Sequence, residues 1–179
     1  MDKIIALALL LFLITGTANA LVKEGHAEIT GYKKSGENAY HVIYRIYTPN
    51  KPLHNVWLRV DLKTAVFGYK QKRIADPEQA VCRLKIDQYD KPAAQYAQYL
   101  GGSLYLYFDR LEKYSLVQFS IGWKNPADAE GPVPEQAALE FKSDEWEQTA
   151  EWEPASPRLF PIVREAQITI REGISCNLY

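Results

Sequence analysis

Cysteine is nearly absent from this chain: its 179 residues contain two, Cys82 and Cys176. They do not stand in a Cys-x-x-Cys arrangement, which removes that form of dithiol redox chemistry. Histidine is almost as scarce. His26, His41 and His54 are the full set, and no two stand at metal-ligand spacing. His26 and Glu28 share a strand face, but a metal there needs two more ligands from elsewhere. No metal and no cofactor is therefore expected. Phosphate-binding loops and dinucleotide fingerprints are missing. Ser103, in Gly101-Gly102-Ser103, comes before a strand, whereas a nucleophile elbow needs its serine at a strand-to-helix turn with glycines two residues to either side. An excess of charge is missing too. With 21 basic and 22 acidic residues the net charge is −1, no footprint for nucleic acid.

Long apolar runs are limited to one, Ile4 to Ile14. A bilayer-spanning helix needs about 20 apolar residues, so this run is too short. Lys3 precedes it and Ala18-Asn19-Ala20 follows, the small residues of a signal-peptidase site. Residues 1–20 are read as a cleaved secretory signal and 21–179 as a single domain with no transmembrane segment. No cysteine follows the small residues, so a lipoprotein anchor is not expected. The expected location is periplasmic or extracellular. An exported chain meets an oxidising compartment, and the expected state of Cys82 and Cys176 is one disulfide that ties down the C-terminus.

What the chain does have is alternation. In "NAYHVIYRIYTPN" Tyr40, Val42, Tyr44 and Ile46 share one parity. In "HNVWLRVDLKT" Val56, Leu58, Val60 and Leu62 alternate with Trp57, Arg59, Asp61 and Lys63. Leu104, Leu106 and Phe108 form another apolar row, as do Val117, Phe119, Ile121 and Trp123. This period of two marks half-buried strands. Turn residues separate the runs at the spacing of an all-β protein. The predicted fold is an antiparallel β-sandwich, immunoglobulin-like in architecture, with roughly seven to ten strands. Helix is minor: "KPAAQYAQYL" is expected to form up to two turns, with Tyr96, Tyr99 and Leu100 on one side. "PEQAALEF" reads equally as strand or helix, because Pro134 suits a first helical position. Asn125 to Glu135, with three prolines, is expected to be an exposed loop. An outer-membrane barrel is excluded by the polar outward faces, such as Arg59, Asp61 and Lys63.

The most distinctive local stretch is "DEWEQTAEWEP". As a strand it places Trp146, Gln148, Ala150 and Trp152 on one face, and Glu145, Glu147, Glu151 and Glu153 on the other. Two readings follow. The strand buries its tryptophans and wets its glutamates, which would also discourage edge pairing. Alternatively the tryptophans stack on sugar rings, or the acidic row meets a basic protein or Ca²⁺. Tyr105 and Tyr107 alternate against an apolar row and are expected to face outward. The basic residues Lys70, Lys72 and Arg73 read as edge protection or as a contact for an anionic glycan or lipid. Residues 21–91 carry a net charge of +5 and residues 92–179 a net −6. Either the halves pair and neutralise each other, or opposite faces carry opposite charge.

Functionally, no reaction is identified. The expectation is a non-catalytic binding module of a cell envelope that recognises a protein or glycan through an aromatic-rich sheet face. The candidate binding residues are Trp146, Trp152, Tyr105, Tyr107, Glu145, Glu147, Glu151 and Glu153. A carboxylate-dependent envelope hydrolase and a lipid-enclosing sandwich are the alternatives.

Overall fold

A computed structural model describes residues 24–67, 78–126, 131–154, 162–168 and 176–178. The signal segment 1–20 and the basic residues Lys70, Lys72 and Arg73 lie outside the described residues.

Two sheets form a β-sandwich. The first carries β1 (His26–Lys33), β2 (Ala39–Tyr47), β8 (Leu116–Lys124) and β4 (Glu78–Ile86) in that spatial order. The short strands β5 (Tyr89–Lys91) and β12 (Asn177–Leu178) both attach to β4. The second sheet runs β10 (Glu147–Trp152), β9 (Val133–Lys142), β3 (Leu53–Phe67), β7 (Ser103–Leu111) and β6 (Ala97–Leu100), with β11 (Ile162–Ile168) on β3. Pairing is antiparallel throughout except β12, which lies parallel to β4. The strands exceed the predicted seven to ten because β5, β6 and β12 are only 3, 4 and 2 residues long. Runs that short carry no legible alternation.

Each apolar row predicted from the alternation faces the space between the sheets. Val42, Tyr44, Ile46, Val117, Phe119, Ile121, Cys82 and Leu84 enter it from the first sheet; Val56, Leu58, Val60, Leu104, Leu106, Leu139 and Phe141 enter from the second. These side chains form one apolar core between the sheets. Tyr44 reaches across it. Its ring is fully buried and its hydroxyl donates to the Asp61 carbonyl of β3 at 2.9 Å, a polar bond joining the two layers. Burial, with Asp61 adding to it, pushes this phenol well above its usual pKa, so it stays a donor.

The Cys82–Cys176 disulfide is formed, with Cα atoms 5.5 Å apart. It anchors β12 beside β4, where Asn177 pairs with Val81 and Leu178 with Cys82.

Three expectations change. "KPAAQYAQYL" is not two helical turns. A single 3-10 turn spans Ala93–Gln95, and Ala97–Leu100 is strand. The Tyr96 carbonyl accepts from the Tyr107 amide and the next residues pair with β7, so neighbouring strand edge outcompetes a short isolated helix. The Asn125–Glu135 stretch is not an exposed loop at its ends. Asn125 and Pro132 are buried, and the Pro132 carbonyl accepts from Trp123 Nε1 at 3.0 Å and from Asn125 Nδ2 at 3.1 Å. "PEQAALEF" resolves as strand, its alternation spending Ala137, Leu139 and Phe141 on the core.

The bipolar charge is partly mixed: β2 and β4 of the basic half pair with β8 of the acidic half, and β3 with β7 and β9. Strands β1, β2, β4 and β5 of the basic half gather in the first sheet, whose strands sum to +3 with β8 and β12. The strands of the second sheet sum to −2, even though β3 belongs to the basic half.

Candidate functional site

The outer face of the second sheet presents an aromatic ridge. Alternation on β3 turns Trp57 outward, and it remains 46% exposed. The β3–β7 register sets Tyr107 directly opposite Trp57, and Tyr105 opposite Arg59. The Trp57 ring lies 5.0 Å from Tyr107, tilted by 56°, and 6.4 Å from Tyr105, edge-on at 82°. These contacts hold the indole upright without covering it. A groove of about 520 Å³ runs along one flank, lined by Asn55, Trp57, Arg59, Tyr105, Glu140, Lys142, Ser143 and Asp144. A second, of about 450 Å³, lies where Gln95, Tyr96 and Gln98 face the same three aromatics.

A backbone kink builds the polar end of the ridge. Asn55 has φ 50°, in the left-handed region that asparagine tolerates better than most residues. The period of two breaks there: Leu53 and Val56 are fully buried, whereas His54 and Asn55 are both exposed. Both outward side chains then meet the segment before β10. Asn55 Nδ2 donates to Asp144 Oδ2 at 2.6 Å, and Asn55 Oδ1 accepts from the Tyr107 hydroxyl at 3.1 Å. Partial burial and the nearby Asp109 and Asp144 carboxylates raise the Tyr107 pKa, keeping that hydroxyl a donor. Glu145 clasps His54 twice, accepting from its amide at 2.9 Å and contacting Nδ1 at 2.7 Å. The His54 hydrogen bonds hold the Glu145 carboxyl below the usual glutamate range. Arg59 crosses the groove floor, 3.0 Å from Asp61 and 3.5 Å from Glu140.

The predicted binding residues therefore separate. Tyr105 and Tyr107 lie in the ridge. Glu145 sits beside it and is engaged with His54. Trp146 and Trp152 face the other way. Both are half-buried against the core; the Trp146 ring lies 4.9 Å from Phe141, tilted by 49°, and covers Gly25, while the Trp152 ring covers Gly31. Their indoles close the sandwich where edge strands β1 and β10 meet, as the burying reading of that strand describes. Glu147, Glu151 and Glu153 are exposed on the opposite face. Trp57 and Asn55 were not among the sequence candidates. The signal was an aromatic on the outward row that continues with Arg59, Asp61 and Lys63; what the sequence withholds is the cross-strand register that stands it against Tyr107.

No protein-family model matches this chain, and no curated protein matches it in sequence. Among solved structures it is similar to the collagen-binding subdomain ACE19 of the Enterococcus faecalis surface protein ACE, at 8% identity and TM-score 0.40, over 73% of this chain and 96% of that one. It is also similar to part of a GH20 exo-β-N-acetylglucosaminidase from Vibrio harveyi, at 12% identity and TM-score 0.35, over 76% of this chain and 19% of that one. A family 123 glycoside hydrolase from Clostridium perfringens matches at 13% identity and TM-score 0.31, over 74% of this chain and 28% of that one. At such identities no residue of the ridge acquires a counterpart, and shared architecture does not carry function.

Proposed function

We propose that this chain is a non-catalytic binding module of an exported, envelope-associated protein, and that it takes a neutral saccharide chain across the outer face of the second sheet. The observation that carries the reading is Trp57, nearly half exposed between Tyr105 and Tyr107 with a polar groove on its flank. A tryptophan left in water on a rigid strand is held ready for an amphipathic ligand. The C–H face of a sugar ring stacks on the indole, and its hydroxyls meet Asn55, Arg59, Glu140, Lys142 and Asp144. Those four charged groups are two acids and two bases, a balance that suits a ligand without net charge. Arg59 stands 3.5 Å from Glu140, and Asn55 Nδ2 donates to Asp144 at 2.6 Å, so both carboxylates are positioned along the groove. The disulfide fits an oxidising compartment, and among the described residues no helix is long and apolar enough to cross a membrane.

Glycan-array screening followed by calorimetry with wild type and Trp57→Ala tests the proposal. Loss of at least tenfold in affinity is expected, with unchanged thermal stability. Absence of any glycan ligand, or equal affinity of the variant, overturns it.

A further inference from the structure

The opposite face of the molecule carries a second groove of different chemistry. Across the outer surface of the first sheet, the register aligns Tyr32, His41, Gly122 and Val81 in one row, and Ile43, Ser120 and Arg83 in the next. These residues line a groove of about 480 Å³ with Lys124 at its end. Gly122 makes the depression. His41 folds over it so closely that a Cβ at position 122 would stand 2.8 Å from His41 Nδ1. The imidazole is stacked on Tyr32, with centroids 5.0 Å apart and planes at 16°, so the two rings form one flat wall.

The charge of the groove is one-sided. Arg83 and Lys124 are exposed, and among the described residues neither makes an ion pair. The one acid on the lining, Glu37, is engaged by Lys34 at 2.8 Å and also feels the Lys124 charge. Burial, then the Lys34 charge, lowers the His41 pKa, so at neutral pH its ring is uncharged. Arg83 and Lys124 therefore overlook a small-residue floor and a flat aromatic wall, on the sheet whose strands sum to positive charge. An exposed guanidinium beside a hydroxyl, here Ser120, is a fork for a carboxylate. The stacked wall suits a ring.

We infer that this groove is a binding site for an acidic saccharide, its carboxylate held by Arg83 and Lys124 and its ring laid along the Tyr32–His41 stack. The inference is independent of the Trp57 ridge, which lies on the other sheet.

The test is amide chemical-shift titration of the full chain with four probes: a hexameric oligogalacturonate, the same oligomer fully methyl-esterified, a hexaglutamate peptide and inorganic phosphate. Oligogalacturonate is expected to shift the amides of Ile43, Ser120 and Gly122, and to weaken as salt is raised. The other three are expected to bind at least tenfold more weakly. Arg83→Gln is expected to lose at least tenfold in affinity and Lys124→Gln about threefold; both positions are exposed, so dispersed spectra should be kept. Trp57→Ala is expected to bind as wild type. Shifts absent from those three amides, or Arg83→Gln binding with wild-type affinity, overturn the site. Equal affinity for phosphate or hexaglutamate overturns the saccharide assignment.

Discussion

Gly31→Ala tests the packing that joins the two sheets. Glycine within a strand is ordinarily a weakness, and replacing it with alanine at a compatible backbone gains about 0.4–1 kcal/mol through the unfolded chain. Gly31 is not in the left-handed region, so its backbone accepts alanine. The obstacle is the Trp152 ring, whose Cζ2, Cη2 and Cε2 atoms occupy the place of the added methyl. Overpacking of this kind costs about 1–3 kcal/mol. The net expectation is a loss of about 1–2 kcal/mol, which lowers Tm by roughly 2–8 °C for a domain of this size. Trp152 must swing toward water, so tryptophan emission should shift to the red. The decisive measurement is a double-mutant cycle by calorimetry. In a Trp152→Leu background the ring atoms are gone, and Gly31→Ala should become neutral or stabilising. The reversal of sign separates ring packing from any general effect of alanine in the strand. A Gly31→Ala protein as stable as wild type, or one equally destabilised with Leu at 152, refutes the reasoning.

Three further outcomes follow from other contacts. Closing a loop of 94 residues, the disulfide is worth up to about 4–5 kcal/mol on chain-entropy grounds, and reduction should lower the urea midpoint; an unchanged midpoint with both thiols labelled contradicts this. Tyr44→Phe removes the Asp61 bond across the core and should cost about 0.5–1.5 kcal/mol by chemical denaturation, whereas no loss would show that the bond between the sheets contributes nothing. Acidification should bring a His41-linked loss of stability. Its folded pKa is depressed, so the unfolded chain binds the proton more readily, and stability falls as pH drops through the ordinary imidazole value of about 6.5; His41→Gln should flatten that limb, and an NMR titration placing His41 at or above 6.5 would contradict it.

Much of this fold is legible because one apolar row per strand obeys the period of two, and a slip by one residue would turn Val42, Tyr44 and Ile46 to water. The strand reading of "DEWEQTAEWEP" rests on the same logic. What stays hidden is whatever depends on a partner far along the chain. Ala97–Leu100 looks helical in isolation and is strand because β7 offers it an edge. The Asn125 region looks like a proline-rich loop, yet the Pro132 carbonyl gathers two buried donors. The ridge was half visible: outward tyrosines were evident, but Trp57 becomes a site only when the register sets Tyr107 beside it. The left-handed Asn55 is local, yet nothing near it in sequence announces a kink within a strand 15 residues long.

The chain has an internal reason for turning Trp146 and Trp152 inward while Trp57 stays in the open. Trp146 and Trp152 each stand between two glutamates, whereas Trp57 stands between the core residues Val56 and Leu58, so alternation already turns it to the opposite side; the facing strand then decides how far each ring is covered. Trp146 and Trp152 stand six residues apart, and so do Gly25 and Gly31, the two positions their rings cover. Equal spacing means that the two segments advance together, each indole entering the gap of a missing side chain. Position 57 meets no such gap. Its cross-strand neighbour is the large ring of Tyr107, and on its other side the β9 partner is exposed Lys142. A tryptophan there has no void to fill, and two aromatic neighbours prop it outward. The size of what faces each indole thus fixes whether it fills a gap between the sheets or stays in the open.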